Sequence, residues 1–362
     1  MSKVYQVAII GAGIGERQAD GFLRLVDRFR ISVICDRNAE RAGTLADLIA
    51  AKGVPRPAIV GDYGDELLRR TDVDIVSICL PPFLHYESTK RALEAGKHVI
   101  CEKPLVGSLA EVDELDRIAK ANGRLLMPVL QYRFGNGLAK AKHLIESGAA
   151  GKIYLASIET HWTRGADYYA VPWRGRMATE LGGALLGHSI HIHDMLTHLV
   201  GEVAAVSAMT AVRVNDIETE DCAGVLFQMA DGSIAVSSTT LGSADEISRL
   251  RLVCENVTMV SSLSPYTPNR DPWTFIPKAP KDEAFITAAL AGTPERLEGY
   301  TAQFARYFEA LEGRELLPIS IGDARRTIEL ATAIYHSAKT GEHVRLPIEK
   351  DHLAYRGISD QQ

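Results

Sequence analysis

A chain of 362 residues that is 46% hydrophobic and 24% charged has the apolar material for two folded domains, which excludes an intrinsically disordered protein. Its formal net charge of -6 argues against a nucleic-acid partner, which calls for a clustered basic surface to neutralise phosphates. The cysteines are scattered, odd in number and without CxxC spacing, so neither a disulfide framework nor a structural zinc site is indicated, and Cys35, Cys79 and Cys101, inside apolar runs, read as buried thiols.

The opening MSKVYQVAIIGAG contains an apolar run too short to span a bilayer, and it flows into a glycine turn. It reads as a first strand, Val4 to Ile10, and the expectation is a cytoplasmic protein with no membrane partner. A helix near Glu16 to Arg28, a strand from Ile31 to Cys35 and a helix capped by Asn38 running to about Lys52 follow. Val73 to Leu80 and His98 to Cys101 read as buried strands, Ser108 caps a helix to Ala121, and Leu125 to Val129 closes the set. This alternation predicts an α/β domain over residues 1–130, a Rossmann-type doubly wound parallel sheet with covering helices.

The pattern changes in residues 131–362, read as a second α/β domain. Longer strands are expected at Lys152 to Trp162, Ala204 to Thr210, Cys222 to Met229, Ser233 to Leu241 and Ser248 to Cys254, joined by turn signals such as Asp231-Gly232 into a large, mostly antiparallel open sheet. An irregular stretch, Arg164 to Leu181, precedes a helix from about Gly183 to Val200. The proline-rich segment Ser262 to Pro294 has little pattern and reads as an excursion over the surface or into a partner subunit. Helices at about Leu297 to Leu311 and Asp323 to Lys339 and a strand at Val344 to Pro347 end the chain.

Gly11, Gly13 and Gly15, with Ile14 between them, follow the first strand and open a helix, the context of a dinucleotide fingerprint. Glu16 stands where the third glycine of GxGxxG belongs. Asp36 ends the second strand, where a carboxylate accepts from the adenosine ribose and repels a 2'-phosphate, so NAD is favoured over NADP. Arg37 can stack on adenine or pair with that phosphate and keeps NADP as the lesser alternative. Leu80, Pro81 and Pro82 form a rigid turn suited to a wall for the nicotinamide half, with His85 beyond it as a capping, packing or cofactor residue. Glu102-Lys103-Pro104 ends the fifth strand, where ligands of such sheets collect.

Taken together with Gln131-Tyr132-Arg133-Phe134, Gly182-Gly183, His191 and Asp194, these motifs resemble the Gfo/Idh/MocA oxidoreductases over nearly the whole chain. The resemblance implies a nicotinamide enzyme acting on a secondary alcohol or carbonyl of a sugar, glycoside or polyol, with an open sheet that supports substrate binding and homo-oligomers, dimers or tetramers. It extends the expected cofactor contacts to Glu102, Lys103 and Gln131, and it maps the catalytic lysine and histidine onto Lys103 and His191. Where the family has an aspartate four residues before that histidine, this chain has Gly187, followed by His188. The chemistry agrees with the mapping. Alcohol oxidation needs a base near neutrality, which suits His191, and a donor for the developing alkoxide, which suits Lys103.

Asp194, one turn beyond His191, can orient the imidazole or pair elsewhere. His188, His191, Asp194 and His198 fall on one helical face, which opens a zinc or iron reading that a nicotinamide enzyme does not need. His193 faces away from His191. Arg164, Tyr168, Tyr169, Trp173, Arg174 and Arg176 combine ring faces with guanidiniums and read as a specificity loop or a pinned surface loop. Trp162 and Arg174 are the favoured substrate contacts, with Arg133, His188 and Asp194 beside them. Two further readings of the same residues are an NAD-dependent glycosidase with no net redox change and a catalytically silent nicotinamide sensor.

Overall fold

A computed structural model describes residues 3–357. The chain forms two compact units, Met1–Gln131 with Gly299–Arg325 and Tyr132–Glu298 with Arg326–Gln362. In the first unit β1 (Tyr5–Ile10), α1 (Ala12–Leu23), β2 (Phe29–Cys35), α2 (Ala39–Ala50), β3 (Ala58–Val60), β4 (Ile75–Ile78), α3 (His85–Glu94), β5 (His98–Cys101), α4 (Leu109–Ala121) and β6 (Leu126–Pro128) alternate. The strands pair in parallel in the order β3-β2-β1-β4-β5-β6, the doubly wound arrangement expected from the alternation. Val7, Ala8 and Ile9 are fully buried because β1 is covered on both faces, which is why it reads as a continuous apolar run. Asn38 and Ser108 cap α2 and α4 by accepting from the amides of Arg41 and Glu111.

The second unit begins with α5 (Asn136–Glu146) and β7 (Ile153–Thr163). Two single-turn helices, α6 (Ala166–Tyr169) and α7 (Met177–Glu180), lie in the stretch read as irregular. A π-helical turn over Leu185–Ser189 then runs into α8 (Ile190–Val200). Strands β8 (Val203–Ala211), β9 (Cys222–Met229), β10 (Ile234–Thr240), β11 (Gly242–Cys254), β12 (Val257–Val260) and β13 (Thr274–Pro277) lead to α9 (Pro280–Ala291). The segment expected to be a patternless excursion therefore contains an edge strand, paired with β12, and a helix; its prolines obscure both.

α10 (Gly299–Leu311) belongs to the first unit, not to the second as the sequence division at residue 130 had it. Phe304 stacks on Phe22 of α1 with ring centroids 4.1 Å apart, and a Cβ on Gly21 would come within 2.9 Å of Tyr300. Burying each such ring stabilises the unit by about 1.5–3 kcal/mol. α11 (Ile321–Thr340) and β14 (Val344–Arg345) end the fold.

The eight strands of the second sheet run β13-β12-β11-β7-β10-β9-β8-β14, antiparallel throughout except that β7 and β10 are parallel. Side chains alternate on β7 and β10. Ala156, Ile158, Thr160 and Trp162, with Ala235, Ser237 and Thr239, turn to the face covered by α8, where Nε2 of His193 lies 3.0 Å from Ser237 Oγ. Leu155, Leu226, Ile234 and Val236 turn to the opposite face and are exposed. Among the described residues no helix is long and apolar enough to cross a membrane.

Candidate functional site

The glycines of the first turn have three different reasons to be glycine. Gly11 has φ +95°, and a Cβ there would lie 2.4 Å from the carbonyl oxygen of Cys79. A Cβ on Gly15 would lie 2.7 Å from Cγ2 of Ile9, so this glycine brings α1 down onto β1. A Cβ on Gly13 meets nothing within 4 Å, leaving open space over the helix N-terminus. The N-cap residue Gly11 has no side chain to cap that terminus and its first turn holds no acidic residue, while Ile14 and Glu16 are exposed. Amides pointing into open space at a helix start form a phosphate cradle, so the residues fit a dinucleotide.

Asp36 closes the cradle. Its side chain is 4% exposed; one oxygen accepts from the amide of Ala12 at 2.8 Å, the other from that of Asn38 at 2.9 Å, and Arg41 donates to both at 3.0 and 2.8 Å. Burial alone raises a carboxyl pKa, but Arg41 and the two amides outweigh it and hold Asp36 below its usual range. Arg37, expected at the adenosine end, is exposed, and the guanidinium on the carboxylate is Arg41, which the sequence reading did not single out.

At the carboxyl end of β4 the ring of buried His85 lies between two carbonyls, Nδ1 at 2.6 Å from Pro104 and Nε2 at 2.7 Å from Leu80. Burial lowers its pKa, against the opposing effect of those carbonyls. His85 thereby ties the Leu80-Pro81 turn to the segment that carries Lys103, a packing role for a residue expected among the cofactor contacts. Glu102 is also turned inward: Gln18 Nε2 donates to it at 2.8 Å, Tyr300 OH at 3.0 Å and the Lys103 amide at 3.2 Å. Lys103 itself is half-buried. Gln131 follows β6, and its buried Oε1 has no partner among the described residues, an acceptor that a bound group would satisfy.

In the second unit buried His191 stacks on Tyr132 with centroids 4.3 Å apart and planes 15° from parallel. Asp194, read as a possible orienter of that ring and a substrate contact, takes a bidentate fork from Arg133 at 2.6 and 2.8 Å, the two side chains being 1% and 9% exposed. The pair ties Arg133 to α8 as a buried brace, so the two side chains expected at the substrate are engaged with each other. Trp162 is also less available than expected: it is buried, donates from Nε1 to Ser248 at 3.1 Å and stands perpendicular to the ring of His188, with centroids 5.1 Å apart.

His188 sits in the π turn rather than on a regular helix, and its neighbours, Tyr168 and Trp162, differ from those of His191 and Asp194. Its Nε2 lies 3.2 Å from Tyr168 OH. Arg174 is stacked between the rings of Tyr168 and Trp173, 3.8 and 4.2 Å from their centroids, donates to Tyr168 OH and pairs with buried Glu180. Arg164 lies over Trp162, Tyr168 and Tyr266 and pairs with Glu246 at 2.6 Å. Glu180 and Arg41 are residues that sequence reasoning missed, because neither stands in a motif and only the fold brings each to its partners. Among the described residues no three or more His, Cys, Asp or Glu side chains are arranged to hold a metal ion.

A family model described as an oxidoreductase family with an NAD-binding Rossmann fold matches residues 5–129, and one described as the GFO/IDH/MocA C-terminal domain matches residues 138–260. The chain belongs to the Gfo/Idh/MocA oxidoreductase family. It is 32% identical over 244 residues to the uncharacterized oxidoreductase YrbE of Bacillus subtilis, covering 65% of this chain and 67% of that one. It is 27% identical over 248 residues to the D-glucoside 3-dehydrogenase of Escherichia coli, covering 67% of each. Its fold is that of the WlbA dehydrogenase from Bordetella pertussis, solved with NADH and UDP-GlcNAcA, at TM-score 0.83 and 25% identity, covering 96% of this chain and 100% of that one.

Proposed function

We propose that the protein is an NAD-dependent dehydrogenase or reductase that exchanges a hydride with a secondary alcohol or carbonyl carbon of a sugar, glycoside or polyol. The observation that carries this reading is the open space over Gly13 at the start of α1, on the same sheet edge that ends in Lys103. Similarity to a D-glucoside 3-dehydrogenase supports the carbohydrate class.

Oxidising a secondary alcohol removes a hydride from carbon and a proton from oxygen. NAD, when bound, accepts the hydride. Lys103 holds the alcohol oxygen as an ammonium and stabilises it as its proton leaves. His191, its plane set by Tyr132, accepts that proton as a neutral imidazole and returns it in the reverse direction. Asp36 selects NAD by repelling a 2'-phosphate. The enzyme works as a cytoplasmic homo-oligomer, dimer or tetramer.

Incubating the purified protein with NAD and a panel of glycosides, free sugars and polyols tests the reading. NADH formed in proportion to substrate oxidised is expected; aglycone release without NADH, or no turnover across the panel, overturns it. Lys103→Ala is expected to abolish turnover while NADH still binds by fluorescence, and an unchanged rate contradicts the role given to that lysine.

A further inference from the structure

The helical stretch that carries His191 starts at Ala184, whose side chain cannot cap it, and its first amides are satisfied from distant parts of the second unit. The Gly187 amide donates to the Gly183 carbonyl at 2.8 Å and opens the helix, which leaves the amides of residues 183–186 without a carbonyl of the same helix to bind. Glu220 and Tyr335 meet three of them. Gly183 donates to Glu220 Oε2 at 3.0 Å and to the Tyr335 hydroxyl oxygen at 3.2 Å, Ala184 to the Glu220 carbonyl at 2.8 Å and Leu185 to Glu220 Oε1 at 2.9 Å. The Tyr335 hydroxyl in turn donates to Glu220 Oε1 at 2.8 Å. Burial raises the Glu220 carboxyl to about 7, against the opposing pull of the Leu185 amide, Tyr335 and the Gly183 amide. A glutamine would avoid that cost, but it has one acceptor oxygen where the two amides need two.

The fit is close. A Cβ on Gly182 would lie 2.5 Å from the Tyr335 hydroxyl oxygen, and one on Gly183 would lie 2.0 Å from the Glu220 carbonyl oxygen. The next residue anchors the cap: fully buried Asp221 accepts from the amides of Arg213, Val214 and Asn215 at 2.7, 2.9 and 2.7 Å. At the far end of α8, Lys142 Nζ donates to the His198 carbonyl at 2.7 Å. The helix therefore has a carboxyl group at its amino end and an ammonium at its carboxyl end, the groups its dipole favours, both supplied by other elements.

We propose that Glu220 and Tyr335 are positioning residues that cap the start of this helix from outside it and so fix where His191 meets the reacting hydroxyl. The cap stands on the geometry of the second unit; the role toward the hydroxyl rests on the dehydrogenase reading. His191 follows Gly187 by one turn, so a shift of the helix start slides its ring over Tyr132, on which it stacks. A displacement of about 1 Å at a reacting group costs on the order of a hundredfold in rate.

Amide hydrogen exchange of the full chain, read by mass spectrometry, tests the cap. Glu220→Gln and the milder Tyr335→Phe are each expected to speed exchange over residues 183–187 at least about tenfold, with β7 and β10 unchanged. Wild-type exchange there in both variants overturns the cap. In kinetics on a substrate from the panel, both variants are expected to lose at least about tenfold in kcat, with KM and NADH affinity within about threefold of wild type. Because the proton transfer to His191 is the step that slows, the solvent deuterium effect on kcat is expected to rise to about twofold or more. Loss of folded enzyme would lower kcat without moving that effect. A wild-type kcat, or a lowered kcat with an unmoved isotope effect, overturns the positioning role. If the wild-type protein turns over nothing in the panel, the dehydrogenase reading fails and the role toward the hydroxyl with it, while hydrogen exchange still decides the cap.

Discussion

Asp36 carries two opposing demands. A ribose needs its oxygens as acceptors, and Arg41 already occupies both, yet the Arg41 side chain is 56% exposed and free to turn outward about its stem. Turned outward, it becomes the cation beside a 2'-phosphate. Arg41→Ala is therefore expected to cost NADP about tenfold in kcat/KM while changing NAD less than about threefold. Equal losses for both cofactors would remove Arg41 from cofactor selection. The carboxylate itself was legible in the sequence because strand end and residue type coincide there. Its partner was not, because the contact depends on how the first turn of α2 leaves the sheet.

His193 shows the same limit. Its position on α8 told only that it faces away from His191; the sheet beneath decides that it is buried against Phe227 and Ser237. Burial pushes its pKa down to about 4 from an ordinary 6.5. The unfolded chain then binds more protons between pH 4 and 6.5, so this group's contribution is present above pH 6.5 and is lost as the pH falls toward 4, by up to about 3 kcal/mol. His193→Gln is expected to flatten the acid side of the stability profile, measured by urea unfolding at pH 4.5 and 7. A profile parallel to the wild type's would contradict the burial argument.

At the scale of elements, β1, α1 and β2 separate fold from cofactor. Gly15→Ala forces a methyl to within 2.7 Å of Ile9 and is expected to cost about 1–3 kcal/mol of stability. Gly13→Ala meets no protein atom, so the melting temperature is expected to hold while NADH affinity falls at least about tenfold. If both variants bind NADH normally, the cradle has been misplaced. The parallel sheet was readable because β1, β4 and β5 are buried on both faces and their sequences are continuous apolar runs. The elements that escaped had weaker local signals: β3 is three residues long, and β13 and α9 are framed by prolines. The π turn escaped because the helical period was taken as regular, and nothing in the residue types of Leu185–Ser189 marks the wider turn.

For the whole molecule, the uncovered face of the second sheet is the feature that composition does not reveal. Leu155 lies opposite Ile234, and Leu226 opposite Val236, so four exposed apolar side chains form one patch across β7, β10 and β9. A patch of this kind on a sheet face is where the proposed homo-oligomer would associate. For that proposal Leu226→Arg is expected to give a smaller species than the wild type in light scattering, and an unchanged mass would contradict association through this face.

The central claim is that hydride passes between a carbohydrate carbon and the nicotinamide, and isotope transfer tests it without knowledge of which carbon reacts. With NAD and a perdeuterated glycoside that the enzyme oxidises, mass spectrometry is predicted to find one deuterium in each reduced dinucleotide formed. Substrate consumed with no label in the dinucleotide would contradict the account.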